Sequence, residues 1–304
     1  MDGCFVAGAD PELMLVAPNG QLTSAIPLIK GTKSKPQKVK QGAVQHDNVM
    51  AEFNVQPAGS SGEFAANMEA VLKELAKLVR PNKLMVRAYA EFPEEELDSE
   101  EARVFGCDPD FCAWPNRDGI LCMNSIPSHK ALEPFRSAGG HFHVGHKKET
   151  EEMLLDDFGK IEVVKALDVF QGIISVLLDP DQSAIERRSL YGTAGAHRPK
   201  PYGVEYRALG NFWVRSPDLV HLMYELADRA VQLTLTGESN RIIEQIGQKN
   251  VQDIINNSRP IKAKRVVMNI LKRYLTKKQF DHIQQHSPTT AVQGTDLYQT
   301  WGLA

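Results

Sequence analysis

Gly139-Gly140-His141-Phe142-His143-Val144-Gly145 alternates polar and apolar side chains with the period of a β-strand. His141 and His143 fall on one face, Phe142 and Val144 on the other. The paired glycines would let backbone approach a ligand closely. Three further segments have the same mixed character: Gly8-Ala9-Asp10-Pro11-Glu12, His46-Asp47-Asn48-Val49-Met50-Ala51-Glu52-Phe53-Asn54, and Arg187-Arg188 through Gly203-Val204-Glu205-Tyr206-Arg207. Each reads as a strand segment with its charged side chains on one face. Converging carboxylates are costly to bury unless a cation neutralises them. The arginines of the last segment offer what a polyphosphate needs.

Around these segments the pattern is mixed. Residues 3 to 17 read as a hairpin or bent strand pair closed by the Pro18-Asn19-Gly20 turn. Residues 30 to 42 read as a loop, 43 to 55 as a strand, 83 to 90 as a strand, and Glu94 to Glu101 as a solvated acidic loop. Residues 60 to 79 carry apolar side chains at helical spacing behind a Ser60/Glu63 capping box. A second helix is predicted over Ile161 to Leu178, and a third behind Ser216-Pro217. Residues 187 to 202 read as an irregular Gly- and Arg-rich segment, and 203 to 209 as a strand. Residues 240 to 285 read as two polar helical segments broken near Ser258-Arg259-Pro260. Strands do not alternate regularly with helices, so the expected class is α+β with a mainly antiparallel sheet. One domain over 1–304 is expected, with the motifs in 1–215 and a mainly helical part in 216–304.

The chain has 304 residues, 42% hydrophobic and 24% charged, with a net charge of −3. That suits an ordinary globular protein and gives no reason to expect a nucleic-acid partner. No apolar run is long enough to span a bilayer. The N-terminal residues have neither a basic start nor an apolar stretch, so a cytoplasmic location is expected. Four cysteines (Cys4, Cys107, Cys112 and Cys122) fit a reducing compartment; Cys107 and Cys112 have no second pair at zinc-site spacing and read as a reduced loop. No Walker-type loop, G-x-G-x-x-G element or Gly-x-Ser-x-Gly elbow is present, which counts against P-loop, Rossmann and serine-hydrolase readings.

Asp10 and Glu12 are two apart and share a strand face. Asp47 and Glu52 do not, unless a turn at Asn48 brings them together. Glu205 and Arg207 alternate, preceded by Arg187, Arg188 and Arg198 among Tyr191, Tyr202 and glycines, which suggests a shaped phosphate-binding loop. Lys33 is a weaker candidate for the same work.

The order of these motifs resembles the phage-associated COOH–NH2 ligases, a branch of the glutamine synthetase and glutamate–cysteine ligase superfamily. The resemblance spans about residues 5 to 215. It implies metal ligation by Asp10, Glu12, Asp47, Glu52, His141 and Glu205. It also implies nucleotide phosphate on His143, Arg187, Arg188, Arg198, Arg207 and Lys33, with Arg198, Glu205 and Arg207 in catalysis. Phe105-Gly106-Cys107-Asp108-Pro109-Asp110 is similar to a stretch of the same branch. Asp10 stands where larger relatives carry Glu, which leaves ligation through a water open. The implied activity joins a carboxylate to an amine through an acyl phosphate, using ATP and two or three Mg2+ ions, or Mn2+. The partners would be small-molecule or peptide acids and amines, with a homo-oligomer left open and, if phage-encoded, a host cytoplasm as location. A guanidino-type kinase on the same scaffold, a non-catalytic nucleotide-binding relative and a histidine-based metallohydrolase are the rival readings.

Overall fold

A computed structural model describes residues 2–103, 110–115, 121–124, 134–287 and 296–303. The first segment does not fold back on itself: residues 3 to 17 lie within one long strand, β1 (Asp2–Val16). Phe5, Ala7, Ala9, Leu13 and Leu15 are buried along it, which holds the strand on the core through Asp10-Pro11-Glu12. Pro11, which lacks an N–H, sits at the junction between the half paired with one neighbour and the half paired with the next. The Pro18-Asn19-Gly20 turn forms, with Gly20 at φ +86°, and leads into β2 (Leu22–Thr23).

The remaining strands are β3 (Gln37–Val39), β4 (Gly42–Asp47), β5 (Met50–Val55), β6 (Ala58–Ser60), β7 (Lys83–Met85) and β8 (Tyr89–Glu91). They continue with β9 (Asp110–Pro115), β10 (Leu121–Asn124), β11 (Phe135–Ser137), β12 (Gly140–Gly145), β13 (Ala196–Lys200) and β14 (Gly203–Tyr206). The main path of the large sheet runs β10-β9-β13-β14-β12-β1-β5-β4-β3, and each pairing along it is antiparallel. The strand expected over 43 to 55 is thus a hairpin, β4 and β5, turning at Asn48 (φ 58°).

Helices pack against the back of this sheet and on one another. They are α1 (Ser61–Leu78), α2 (Glu100–Arg103), α3 (Glu151–Leu155), α4 (Asp157–Leu167), α5 (Ile173–Leu178) and α6 (Gln182–Leu190). After them come α7 (Pro217–Leu235), α8 (Glu238–Ile246), α9 (Gln248–Asn256), α10 (Pro260–Asn269), α11 (Lys277–His286) and α12 (Leu297–Trp301). Ser60 caps α1 by accepting from Glu63 N–H, but the capping box is skewed: Glu63 accepts from Gly59 rather than from Ser60. The helix expected over 161 to 178 is interrupted by a π turn at Asp168–Gly172. Residues 240 to 285 hold four α-helices rather than two segments: the expected break at Ser258 (φ 46°) is present, and Gly247 (φ 87°) and the 3-10 turn at Leu271–Arg273 break the chain as well. The acidic run expected as a loop holds a 3-10 turn at Glu94–Leu97 and α2.

Strand alternation sends Phe142, Val144, Phe53, Val204 and Tyr206 to the helical side. There Phe64 of α1 meets Phe142 edge-on at 5.5 Å and stacks on Trp213 at 6.1 Å, while Tyr224 of α7 stacks on Phe5 at 5.0 Å. Burying each such ring contributes roughly 1.5–3 kcal/mol. One hydrophobic cluster runs from Phe5 to Leu303, so the C-terminal helices share the sheet's core. With that face anchored, the register holds every polar partner of the alternation on the opposite face.

Candidate active site

The opposite face forms the floor of a cavity of about 690 Å³. The register explains which side chains meet. Asp10 pairs with His141 across β1 and β12, His143 with Glu205 across β12 and β14, and Arg198 with Glu205 across β13 and β14. On the other edge of β1, Glu12 pairs with Glu52, and Glu52 in turn with Gln45 of β4. The turn at Asn48 brings Asp47 to the same cavity wall. Asp10, Glu12, Lys33, Asp47, Glu52, His141, His143, Arg198, Glu205 and Arg207 all line it.

Two electrostatic zones result. In the first, Asp10 Oδ1 lies 3.3 Å from His141 Nδ1 and 3.1 Å from His143 Nε2. Burial would raise the Asp10 carboxyl, but His143 and His141 outweigh it and hold it well below the usual range. His143 is raised in turn: Asp10 outweighs the effect of burial. Its Nδ1 lies 2.6 Å from the Tyr202 hydroxyl, and the two rings stack. His141 is lowered by burial and by Arg207, whose Nη1 donates to His141 Nδ1 at 3.1 Å. The same Nδ1 also faces the Asp10 and Glu205 carboxylates, at 3.3 and 3.6 Å. Glu205 is pulled to about 2: burial and Asp10 push it up, and Arg207, His141 and His143 more than compensate. Lys200 Nζ, 2.7 Å from Glu205, adds to the pairing.

In the second zone the carboxylates have few cations. Burial and Asp47 push Glu12 up to about 8, although it accepts from Gly139 N–H at 2.6 Å. Burial, with Asp10, Asp47 and Glu12, pushes Glu52 well above the ordinary value, although Gln45 donates to it at 2.8 Å. Ionising these buried carboxyls would need a compensating cation.

A hard divalent ion fits this floor. Asp10, His143 and Glu205 present ligand atoms all within 4.8 Å of one another, on a floor where Asp10 already pairs with both histidines. That cluster contains His143, where the resemblance implied His141.

Arg207 is the most elaborately held group. It pairs with Glu205, its Nε lies 2.7 Å from Asp110 and 2.8 Å from the Tyr191 hydroxyl, and Nη2 also reaches that hydroxyl. Arg198 Nε lies 3.3 Å from the same Asp110.

Arg187 and Arg188 are corrections. They lie on α6, not on a loop or strand, and neither lines the cavity. Both are buried, and burial pushes Arg187 down to about 10. Arg187 donates to the carbonyls of Ala208 and Arg207 at 3.2 Å, fixing the chain that carries Arg207. Arg188 donates to the hydroxyls of Ser258 and Ser175. These bonds of both guanidiniums thus go to protein oxygens away from the cavity. The glycines before His141 also serve the protein: a Cβ on Gly140 would meet Gly210 and Trp213.

Asp110, Gln45, Lys200, Asn48 and Arg136 belong to the site or its wall; the sequence reading used Asn48 only as a turn and Asp110 only as part of a motif, and gave the other three no role. Gln45 and Lys200 were legible, since each alternates with a residue already singled out (Asp47, Arg198). Asp110 begins β9, paired with β13; residues 104–109 of its motif, with Cys107, lie outside the described residues. Cys4 is a free thiol. No helix among the described residues is long and apolar enough to cross a membrane.

No curated protein matches this chain. Among solved structures, a bifunctional glutathione synthetase from Pasteurella multocida is similar over 93% of this chain and 51% of its own, with 12% identity and a TM-score of 0.44. The chain thus spans about half the length of that enzyme. The family model described as phage phiEco32-like COOH.NH2 ligase-type 2 matches residues 130–286, which take in β12, β13, β14 and the helices behind them. With more than half of its length so matched, the chain belongs to the phage phiEco32-like COOH.NH2 ligase-type 2 family.

Proposed function

We propose that the chain is an ATP-dependent ligase that joins a carboxylate to an amine through an acyl phosphate, on a scaffold of glutamine synthetase and glutamate–cysteine ligase type. The observation that carries the reading is one cavity floor holding the Asp10–His143–Glu205 cluster, the proton-holding Glu12 and Glu52, and the braced Arg207. Asp10, Glu12, Asp47, Glu52, Glu205 and the two histidines would hold two or three Mg2+ ions, with Mn2+ as the alternative. Bound there, the cations would neutralise the charge of a polyphosphate.

The protein's own part is positioning and charge stabilisation, since phosphoryl transfer asks little covalent help. Arg207 is fixed by Glu205, Asp110 and Tyr191, so its remaining donor edge is aimed before any ligand arrives. Arg198 and Lys33 line the same wall and would meet anionic oxygens. His141 Nδ1 lies 3.1 Å from Arg207 Nη1 and helps to keep that guanidinium oriented. A cavity of about 690 Å³ suits small molecules or a peptide end as acid and amine.

The test uses Mg-ATP, hydroxylamine in place of the amine, and pools of carboxylic acids. Hydroxamate together with ADP is the expected result. Phosphorylated acceptor without hydroxamate would replace this reading with a kinase. Glu205→Ala and Arg207→Ala should each lower turnover by roughly 10²–10³-fold or more while retaining the wild-type circular-dichroism spectrum. Full turnover in either folded variant removes that residue from the mechanism.

A further inference from the structure

Residues 259–278 contain eight Lys and Arg and no Asp or Glu. The chain's net charge is −3, so the residues outside this stretch carry −11. All eight cations are exposed. Arg259 and Lys262 pair with Asp253, and Lys278 with Glu225. Lys264, Arg265, Lys272, Arg273 and Lys277 have no carboxylate partner among the described residues. Such segregation is a local positive field on a globally acidic protein.

Packing turns this charge outward. Ala263, Val266 and Val267 bury one face of α10 against the body. Ile261, Lys264, Arg265 and Met268, spaced i, i+3, i+4 and i+7, form the outer face. The cations then continue through Lys272 and Arg273 of the connecting turn to the start of α11. The exposed apolar side chains on α10 are Ile261 (71%) and Met268 (40%). Two aliphatic side chains are too few to seat a helix in a bilayer, and an exposed aromatic for base stacking is missing among the described residues of this face. Five of the eight are lysines, point charges suited to a diffuse phosphodiester field rather than to bidentate capture of single carboxylates.

We infer that the outer face of α10 and the turn after it is a docking surface for the phosphodiester backbone of a nucleic acid, bound without sequence preference. This departs from the expectation drawn from net charge, which averages the segregation away. It stands independently of the ligase reading.

Fluorescence anisotropy of the full chain with a labelled duplex oligonucleotide tests it. Binding should weaken with salt at a log–log slope of roughly −4 to −5, for about five phosphates neutralised. Lys264→Gln/Arg273→Gln should make that slope shallower by about 2. Lys264→Glu/Arg265→Glu/Arg273→Glu should weaken binding at least tenfold, with melting temperature and ligase turnover unchanged. Absence of duplex binding, or binding that both variants leave intact, overturns the inference. So does preferential capture of phosphatidylglycerol vesicles or of a polyglutamate peptide, tested side by side with the duplex.

Discussion

Glu12 and Glu52 face each other across β1 and β5, and both hold protons more tightly than ordinary carboxyls. Glu12 is raised to about 8, so the folded chain binds a proton there that the unfolded chain has released above about pH 4.5. The sign follows: stability from this group is fullest below pH 4.5 and is lost as pH rises toward 8. A divalent cation entering the site must displace these protons. Magnesium titrated at pH 7 should therefore release protons, seen as a dependence of the calorimetric heat on the buffer's ionisation enthalpy. The release should shrink above pH 8. A heat independent of buffer would mean that neither carboxyl meets the ion.

Asp168 works at the scale of elements. It sits in the π turn between α4 and α5, with Oδ2 accepting from Trp114 Nε1 at 2.6 Å and Oδ1 from the Tyr206 hydroxyl at 2.7 Å. One buried carboxyl thus clasps β9, which carries Asp110, to β14, which carries Glu205. Burial raises it to about 7 against both hydrogen bonds. A raised carboxyl stabilises the fold below pH 3.8 and withdraws that stability between pH 3.8 and 7. The span corresponds to on the order of 4 kcal/mol. Asp168→Asn should flatten the decline of melting temperature over that interval relative to the wild type. An unaltered difference profile would assign the pH dependence to other groups. The π turn itself was not visible in residues 161 to 178, whose composition fits a continuous buried helix; a single extra residue per turn leaves no mark on apolar periodicity.

At the scale of the molecule, the site joins β1, β4, β5, β12, β13 and β14, so a ligand seated there bridges strands from most of the sheet. Mg-ATP at a hundredfold its dissociation constant should stabilise the fold by about 2.7 kcal/mol. For a chain of this size that is a rise in melting temperature of roughly 4 °C, which EDTA should reverse. No shift with ATP and magnesium together would refute nucleotide binding at this floor. The α+β class, the polar faces of β1, β12 and β14, and the caps at Ser60 and Ser216 were all legible in the chain, because each is written in residues a few positions apart. What the sequence did not contain was the pairing. Register across β1, β12 and β14 put His143 rather than His141 into the three-residue cluster, burial committed Arg187 and Arg188 to backbone and serine oxygens, and a contact across sheet neighbours brought Asp110 to Arg207. Those are long-range choices, made by the packing of one apolar face against α1 and α7, and local periodicity carries no information about which strand will lie beside which.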